Sequence, residues 1–131
     1  MRQRNLNYIQ RGFPELYERI VNIRPDSVRQ DFAAIEAMET VSKEIVFVLT
    51  GENQEQVRIG SAYDPRHEAR IWLQAQDDIQ VDNILLFGLG NGAIARTILF
   101  QKKRDSKVLI YEPSAQLFLY ALQYIDMREF F

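Results

Sequence analysis

Apolar residues recur at helical spacing at Phe13, Leu16, Tyr17 and Ile20, with Glu15, Glu18 and Arg19 off the stripe. This predicts a helix that opens at Pro14, where a missing N–H costs nothing. Asn22-Ile23-Arg24-Pro25-Asp26 breaks the pattern, because proline disfavours helix in the residue before it. Residues 32–41 are ambiguous. Ala33, Ala34, Glu36, Ala37, Met38 and Glu39 favour helix by propensity, yet Ser42-Lys43-Glu44 leads at once into a strand. The segment therefore suits a helix and the first arm of a meander equally. Ile45-Val46-Phe47-Val48-Leu49 is β-branched and aromatic, Gly51-Glu52-Asn53-Gln54 signals a turn, and Gln56-Val57-Arg58-Ile59 alternates polar and apolar. These features predict a hairpin with one buried face.

Tyr63-Asp64-Pro65 then marks a helix start, with Asp64 as cap and Ala69, Trp72 and Leu73 as the buried stripe. That helix is expected to end at Asp77-Asp78. Asn83-Ile84-Leu85-Leu86-Phe87 is a continuous apolar run of the kind found in a parallel strand buried on both faces. Gly88-Leu89-Gly90-Asn91-Gly92 follows, then a helix with Ile94, Ile98 and Leu99 inward, ending in Gln101-Lys102-Lys103-Arg104. Lys107-Val108-Leu109-Ile110-Tyr111 is a second buried strand that runs into Glu112-Pro113. The last helix places Leu117, Tyr120, Ala121, Tyr124 and Ile125 on one face, with Ser114 as its cap. Strand, glycine loop, helix, strand, acid and helix form the opening half of a Rossmann-like sheet. The fold class predicted is α/β with an α+β lead-in. Helices and a small antiparallel β-meander occupy 1–62, and a partial Rossmann-like α/β unit, with the first βαβα of the sheet, occupies 63–131.

Composition narrows the chemistry. The chain has 131 residues, 47% hydrophobic and 26% charged, with a net charge of −2. No apolar run approaches the ~20 residues of a membrane span, and no signal-type segment follows the basic Met1-Arg2-Gln3-Arg4-Asn5. Without cysteine there are no disulfides, thiolate nucleophiles or Cys-based metal sites. His67 is the single histidine, expected to be exposed on its helix, so no metal is expected. The near-neutral charge gives no broad basic footprint for nucleic acid. The expectation is a soluble, cytoplasmic chain with neither a nucleic-acid nor a membrane partner.

One segment remains as candidate chemistry. A glycine loop between a buried strand and a helix N-terminus brings backbone N–H groups close to a ligand and favours negative charge there. Gly88, Gly90 and Ala93 fit the dinucleotide fingerprint G-x-G-x-x-G/A. Gly88, Gly90 and Gly92 also resemble the first motif of S-adenosylmethionine-dependent methyltransferases. Glu112, at the end of the next strand, is placed to accept from ribose hydroxyls under either reading. The methyltransferase pattern has an acidic residue two positions before its first glycine, where this chain has Leu86. Three possibilities stand: a nucleotide or sugar nucleotide held by Gly88, Gly90, Gly92 and Glu112, a bound methyl donor, or glycines that only permit a tight turn. Other residues have plainer roles. Lys102, Lys103 and Arg104 form a solvated helix end, as does Asp77-Asp78. Phe118, Tyr120 and Tyr124 belong to the core or to a surface between domains. No serine lies in a nucleophile-elbow pattern.

Three motifs in order carry a resemblance: Tyr63-Asp64-Pro65 with Glu68-Ala69, Leu86-Phe87-Gly88-Leu89-Gly90, and Ile110-Tyr111-Glu112-Pro113. Together they resemble the N-terminal domain of the bacterial motility accessory factors, the flagellin glycosyltransferase family. The likeness covers the second half of the chain and extends loosely back through the hairpin. There the family has a small β-meander, so the likeness favours strand for residues 32–41. It departs after the loop, where members often carry a bulky or aromatic residue and a histidine and this chain has Asn91-Gly92-Ala93-Ile94. The resemblance implies a cytoplasmic protein that helps to attach nonulosonic-acid sugars to flagellin, with flagellin as a partner. Transferase chemistry would belong to a catalytic domain downstream, so no catalytic residue is carried over. About 49 residues are few for such a sheet, so the chain is expected to be the front portion of a longer protein. A homo-oligomer formed through an open sheet edge is a further expectation.

Overall fold

The computed structural model describes residues 1–76 and 78–130. In chain order the elements are α1 (Arg2–Gly12), α2 (Pro14–Val21), β1 (Ala34–Glu39), β2 (Ile45–Thr50) and β3 (Gln56–Ile59). Then come α3 (Pro65–Gln74), β4 (Asn83–Phe87), α4 (Ala93–Gln101), β5 (Lys107–Tyr111) and α5 (Ala115–Ala121). Short 3-10 turns lie at Pro25–Ser27 and Met127–Glu129. The fold is mixed α/β: β1, β2 and β3 form an antiparallel sheet, and β4 and β5 a separate parallel pair.

The first helix has no counterpart in the apolar pattern, because residues 2–12 are mostly Arg, Gln and Asn. It is held by one buried face, where Asn5 and Ile9 lie one turn apart and fully covered. Asn5 Nδ2 donates to the carbonyls of Leu122 (2.8 Å) and Ile125 (2.7 Å), and its Oδ1 accepts from the Met127 N–H at 3.0 Å. A buried amide is costly unless paired, and this one is paired at both ends. The second helix opens at Pro14 as the pattern predicts and buries Ile20, with Leu16 and Tyr17 partly covered. Phe13 falls at the joint between the two helices and is exposed, so it drops out of the stripe.

Within segment 32–41, Ala34–Glu39 forms strand β1. Ile35 and Ala37 stand opposite Leu49 and Phe47 in the antiparallel ladder, on the side that packs into the core. Cross-strand pairing outweighs the helical propensity of the alanines and glutamates. Strand β2 is covered on both faces, since Val46 and Phe47 are both fully buried. Phe47 meets the rings of Tyr120 and Tyr124 edge-on at 5.6 and 6.0 Å, which fastens the meander to α5 and the segment after it. Helix α3 starts with Asp64 Oδ1 accepting from the His67 N–H at 2.9 Å. Ala69 and Leu73 are buried on it, but Trp72 is 40% exposed and does not belong to the buried stripe. The helix ends at Gln74; Asp77 lies outside the described residues.

The parallel pair departs most from expectation. Leu86 stands opposite Ile110 and Ile84 opposite Val108, and this inner face joins a core that includes Ile98 of α4 and Leu117 and Ala121 of α5. The other face is bare: Leu85, Phe87, Leu109 and Tyr111 are 53, 71, 66 and 53% exposed. The strands are therefore not buried on both faces. Alternate side chains of a strand point to opposite sides, and among the described residues no element covers the outer one. In α4, Ala95 and Ile98 face inward while Ile94 and Leu99 are only partly covered. Helix α5 stops at Ala121, yet Leu122 and Ile125 beyond it are buried, and Tyr124 reaches the surface.

A single buried cluster runs from Ile9 and Ile20 through Phe47, Leu49 and Leu73 to Leu117, Leu122 and Met127. Among the described residues no helix is long and apolar enough to cross a membrane.

Candidate functional site

The glycine loop sits between β4 and α4 as predicted, and each of its glycines adopts positive φ: Gly88 at +86°, Gly90 at +54° and Gly92 at +82°. Such a path is open to glycine at little cost and is strained for other residues. Two of the three glycines are pressed against protein. A Cβ on Gly90 would lie 2.9 Å from Ile59 Cγ2 of β3, and one on Gly92 would lie 2.8 Å from Phe130 Cζ. Only at Gly88 is the space open.

Side chains brace the same loop. The Gly88 N–H donates to the Tyr111 carbonyl at 2.7 Å. Glu112 uses both carboxylate oxygens on backbone: Oε2 accepts from the Leu89 N–H at 2.9 Å and Oε1 from the Ser114 N–H at 3.0 Å. It ties the loop after β4 to the loop after β5. The sequence offers Glu112 as a candidate ribose contact; in the fold both of its carboxylate oxygens bond the protein's own backbone. Asn91 is buried, takes the Ala93 N–H with Oδ1 at 3.2 Å and donates from Nδ2 to the Ile45 carbonyl at 3.3 Å. It thereby takes up the first N–H of α4 and pins the loop to β2. Asn91 stands where the resemblance departs, and its Asx-type bonding at a helix start is a recognisable signal.

Beside Gly88 a cleft of about 550 Å³ opens between the loop, Ile59 and Gly60, and the inner side of α3, where Glu68, Ala69 and Trp72 line it. Glu112 and Leu117 reach it from the other side. Gly88, Gly90 and Glu112 therefore share one cleft, with Gly92 outside its lining. Its ionisable side chains, Glu68 and Glu112, are both acidic, and no arginine, lysine or histidine lines it. Glu68 Oε2 also accepts from the Ser61 N–H at 2.6 Å. A phosphate placed here would meet two carboxylates and one helix N-terminus, which gives no net counter-charge. Trp72, exposed toward the cleft, is a residue that a buried-stripe reading of α3 conceals.

Ser114 caps α5, its Oγ accepting from the Leu117 N–H at 3.2 Å and meeting Asp31 Oδ2 at 2.6 Å. His67 is exposed, as expected. Lys103 pairs with Asp82 at 2.5 Å, and Lys102 reaches the carbonyls of Lys103 and Arg104 at the end of α4. Tyr120 sits in the core contact with Phe47; burial, aided by the hydroxyl of Tyr124 at 3.4 Å, pushes its phenol up to about 12. Among the described residues no three His, Asp or Glu side chains converge as metal ligands.

No protein-family model, curated protein or solved structure matches this chain.

Proposed function

We propose that this chain is an accessory, non-catalytic domain of a flagellin glycosyltransferase that resembles the motility accessory factors. In this reading it docks on the transferase domain and helps to position flagellin for modification with a nonulosonic-acid sugar. The observation that carries the reading is the bare outer face of β4 and β5. Parallel strands joined by helical crossovers are normally covered on both sides. Here Leu85, Phe87, Leu109 and Tyr111 present a continuous apolar surface. Covering roughly 300 Å² of such surface, the scale at which a patch marks an interaction site, contributes about 7.5 kcal/mol at roughly 25 cal/mol per Å², before the entropy cost of association. A catalytic domain laying a helix across this face would complete the layer. The bracing of Glu112 and of Gly90 and Gly92 agrees with a scaffold, since their contacts are internal.

The test is genetic and chemical. In a host whose flagellin is glycosylated, removal of this reading frame is expected to lower flagellin mass and abolish swimming, and the Phe87→Ser, Leu109→Ser double variant is expected not to restore either. Flagellin of unchanged mass in the deletion strain would refute the proposal.

The cleft beside Gly88 supports a second reading, a nucleotide- or S-adenosylmethionine-binding domain of a methyltransferase-like enzyme. Calorimetric titration with S-adenosylmethionine, NAD and a CMP-linked sugar separates the two. The acidic lining predicts no heat from the phosphate-bearing pair. Saturable binding of any of the three, lost on Gly88→Val, would move the assignment to the enzyme reading.

A further inference from the structure

A second concave surface lies between α3 and α4, apart from the two surfaces already described. Arg66 and Arg70, one turn apart on α3, face Arg96, Thr97 and Phe100 of α4 across a groove of about 360 Å³, with Glu129 among its lining residues. Three guanidiniums line it, of which Arg96 pairs with Glu129 and Arg66 with Glu44, in a chain whose net charge is −2. Phe100 is 91% exposed, the highest value among the described large apolar residues.

The protein already shows what this surface accepts. Glu129 pairs with Arg96 through Nε, and the same guanidinium lies over the ring of Phe130 at 5.7 Å. An acid followed by an aromatic residue is thus seated on Arg96 by one ion pair and one cation–π contact. Beyond that contact the pattern stops. Arg66 gives its Nε to Glu44, and among the described residues its other N–H donors meet no carboxylate. Among the described residues Arg70 has no carboxylate partner.

We infer that the groove between α3 and α4 is a docking site for an acidic segment of a partner protein. A carboxylate of that segment pairs with Arg70, and an adjacent apolar or aromatic side chain covers Phe100. This extends outward the acid-plus-aromatic arrangement that Glu129 and Phe130 make on Arg96. Charge complementarity selects the occupant, since arginine forks match carboxylates in geometry as well as sign. Single-stranded nucleic acid fits less well, because it calls for a row of stacking aromatics along a basic track, and this groove offers one ring.

Fluorescence anisotropy with a labelled Glu-Glu-Phe-Glu-Glu peptide tests the inference on the full chain. Its Lys-Lys-Phe-Lys-Lys counterpart and an oligothymidylate serve as comparison probes. Arg70 and Phe100 are both exposed, so Arg70→Glu and Phe100→Ser retain the fold, which circular dichroism verifies. The acidic peptide is expected to bind saturably and to weaken steeply with added salt. Its affinity is expected to fall about tenfold in Arg70→Glu and about fivefold in Phe100→Ser. The lysine peptide is expected not to bind. Absence of saturable binding by the acidic peptide, or binding that neither variant changes, overturns the inference. So does tighter binding of oligothymidylate, which would assign the groove to nucleic acid.

Discussion

At the scale of single residues, Asn5 shows how one polar side chain can hold a helix that hydrophobic patterning does not support. Its amide joins α1 to two carbonyls and one N–H near the C-terminal turn, all away from water. Asn5→Ala would strand these groups without partners, at roughly 1–3 kcal/mol for each unsatisfied group after partial relaxation. We expect a total loss of about 3 kcal/mol, measured as a shift in the urea midpoint with an unchanged slope. Asp126 gives a pH-dependent counterpart. Its carboxylate is held by the Arg128 side chain at 2.5 Å and by Arg4 at 2.9 Å, which lowers its pKa from 3.8 to about 2. The folded state therefore keeps the carboxylate charged where the unfolded chain already takes up a proton. The resulting stabilisation is complete above about pH 4 and is lost as pH falls toward 2. The Asp126→Asn variant should show a flatter decline of melting temperature over that window. Neither residue could be read from the linear pattern. Asn5 looks like one more polar residue in a basic tail, and Asp126 acquires its partner Arg4 from the other end of the chain.

At the scale of elements, the local signals were largely legible. Pro14, Asp64 and Ser114 sit at helix starts because a proline needs no N–H there and an oxygen can accept one. The positive φ at Gly88, Gly90 and Gly92 follows equally from residue type. What the glycine loop is braced against was not legible. Glu112 lies 23 residues from Leu89 and two from Ser114, yet bonds both backbones at once. A glutamine in its place would keep one acceptor and turn an NH2 toward the other N–H. Glu112→Gln should therefore lower stability by about 1–2 kcal/mol. If Glu112 is a brace, this loss appears by thermal denaturation in the absence of any ligand. A melting temperature equal to that of the parent would instead show that its backbone bonds contribute nothing to stability. The segment 32–41 illustrates the opposite limit. Its composition allowed two answers, and the ladder with β2 decided between them by placing Ile35 and Ala37 opposite Leu49 and Phe47.

At the scale of the whole molecule, one buried cluster links the N-terminal helices, the meander and the β–α–β–α unit. Phe47 contributes to this continuity, since its ring is fully buried and touches Tyr120 and Tyr124. A core shared in this way should melt as one unit. Trp72 fluorescence and far-ultraviolet circular dichroism are expected to give coincident urea transitions, and two separated midpoints would show that the core is divided. The bare face of β4 and β5 is the other property at this scale. A continuous apolar run such as Ile84-Leu85-Leu86-Phe87 says that a strand forms, but it does not say how many of its faces are covered.

The sequence by itself determined the type of most elements from Pro14 onward, the helix starts at Pro14, Asp64 and Ser114, the hairpin and the glycine path, because each depends on residues within a few positions of one another. It also excluded cysteine chemistry outright. The tertiary structure alone decided that α1 is anchored through Asn5, that segment 32–41 holds a strand and that Glu112 bonds the protein's own backbone. It likewise decided that one face of the parallel pair is uncovered and that three arginines share a groove with Phe100. The physical reason is common to all of these: hydrogen-bond partners, strand neighbours and burial are set by contacts between residues far apart in the chain, and no local pattern encodes which of them will meet.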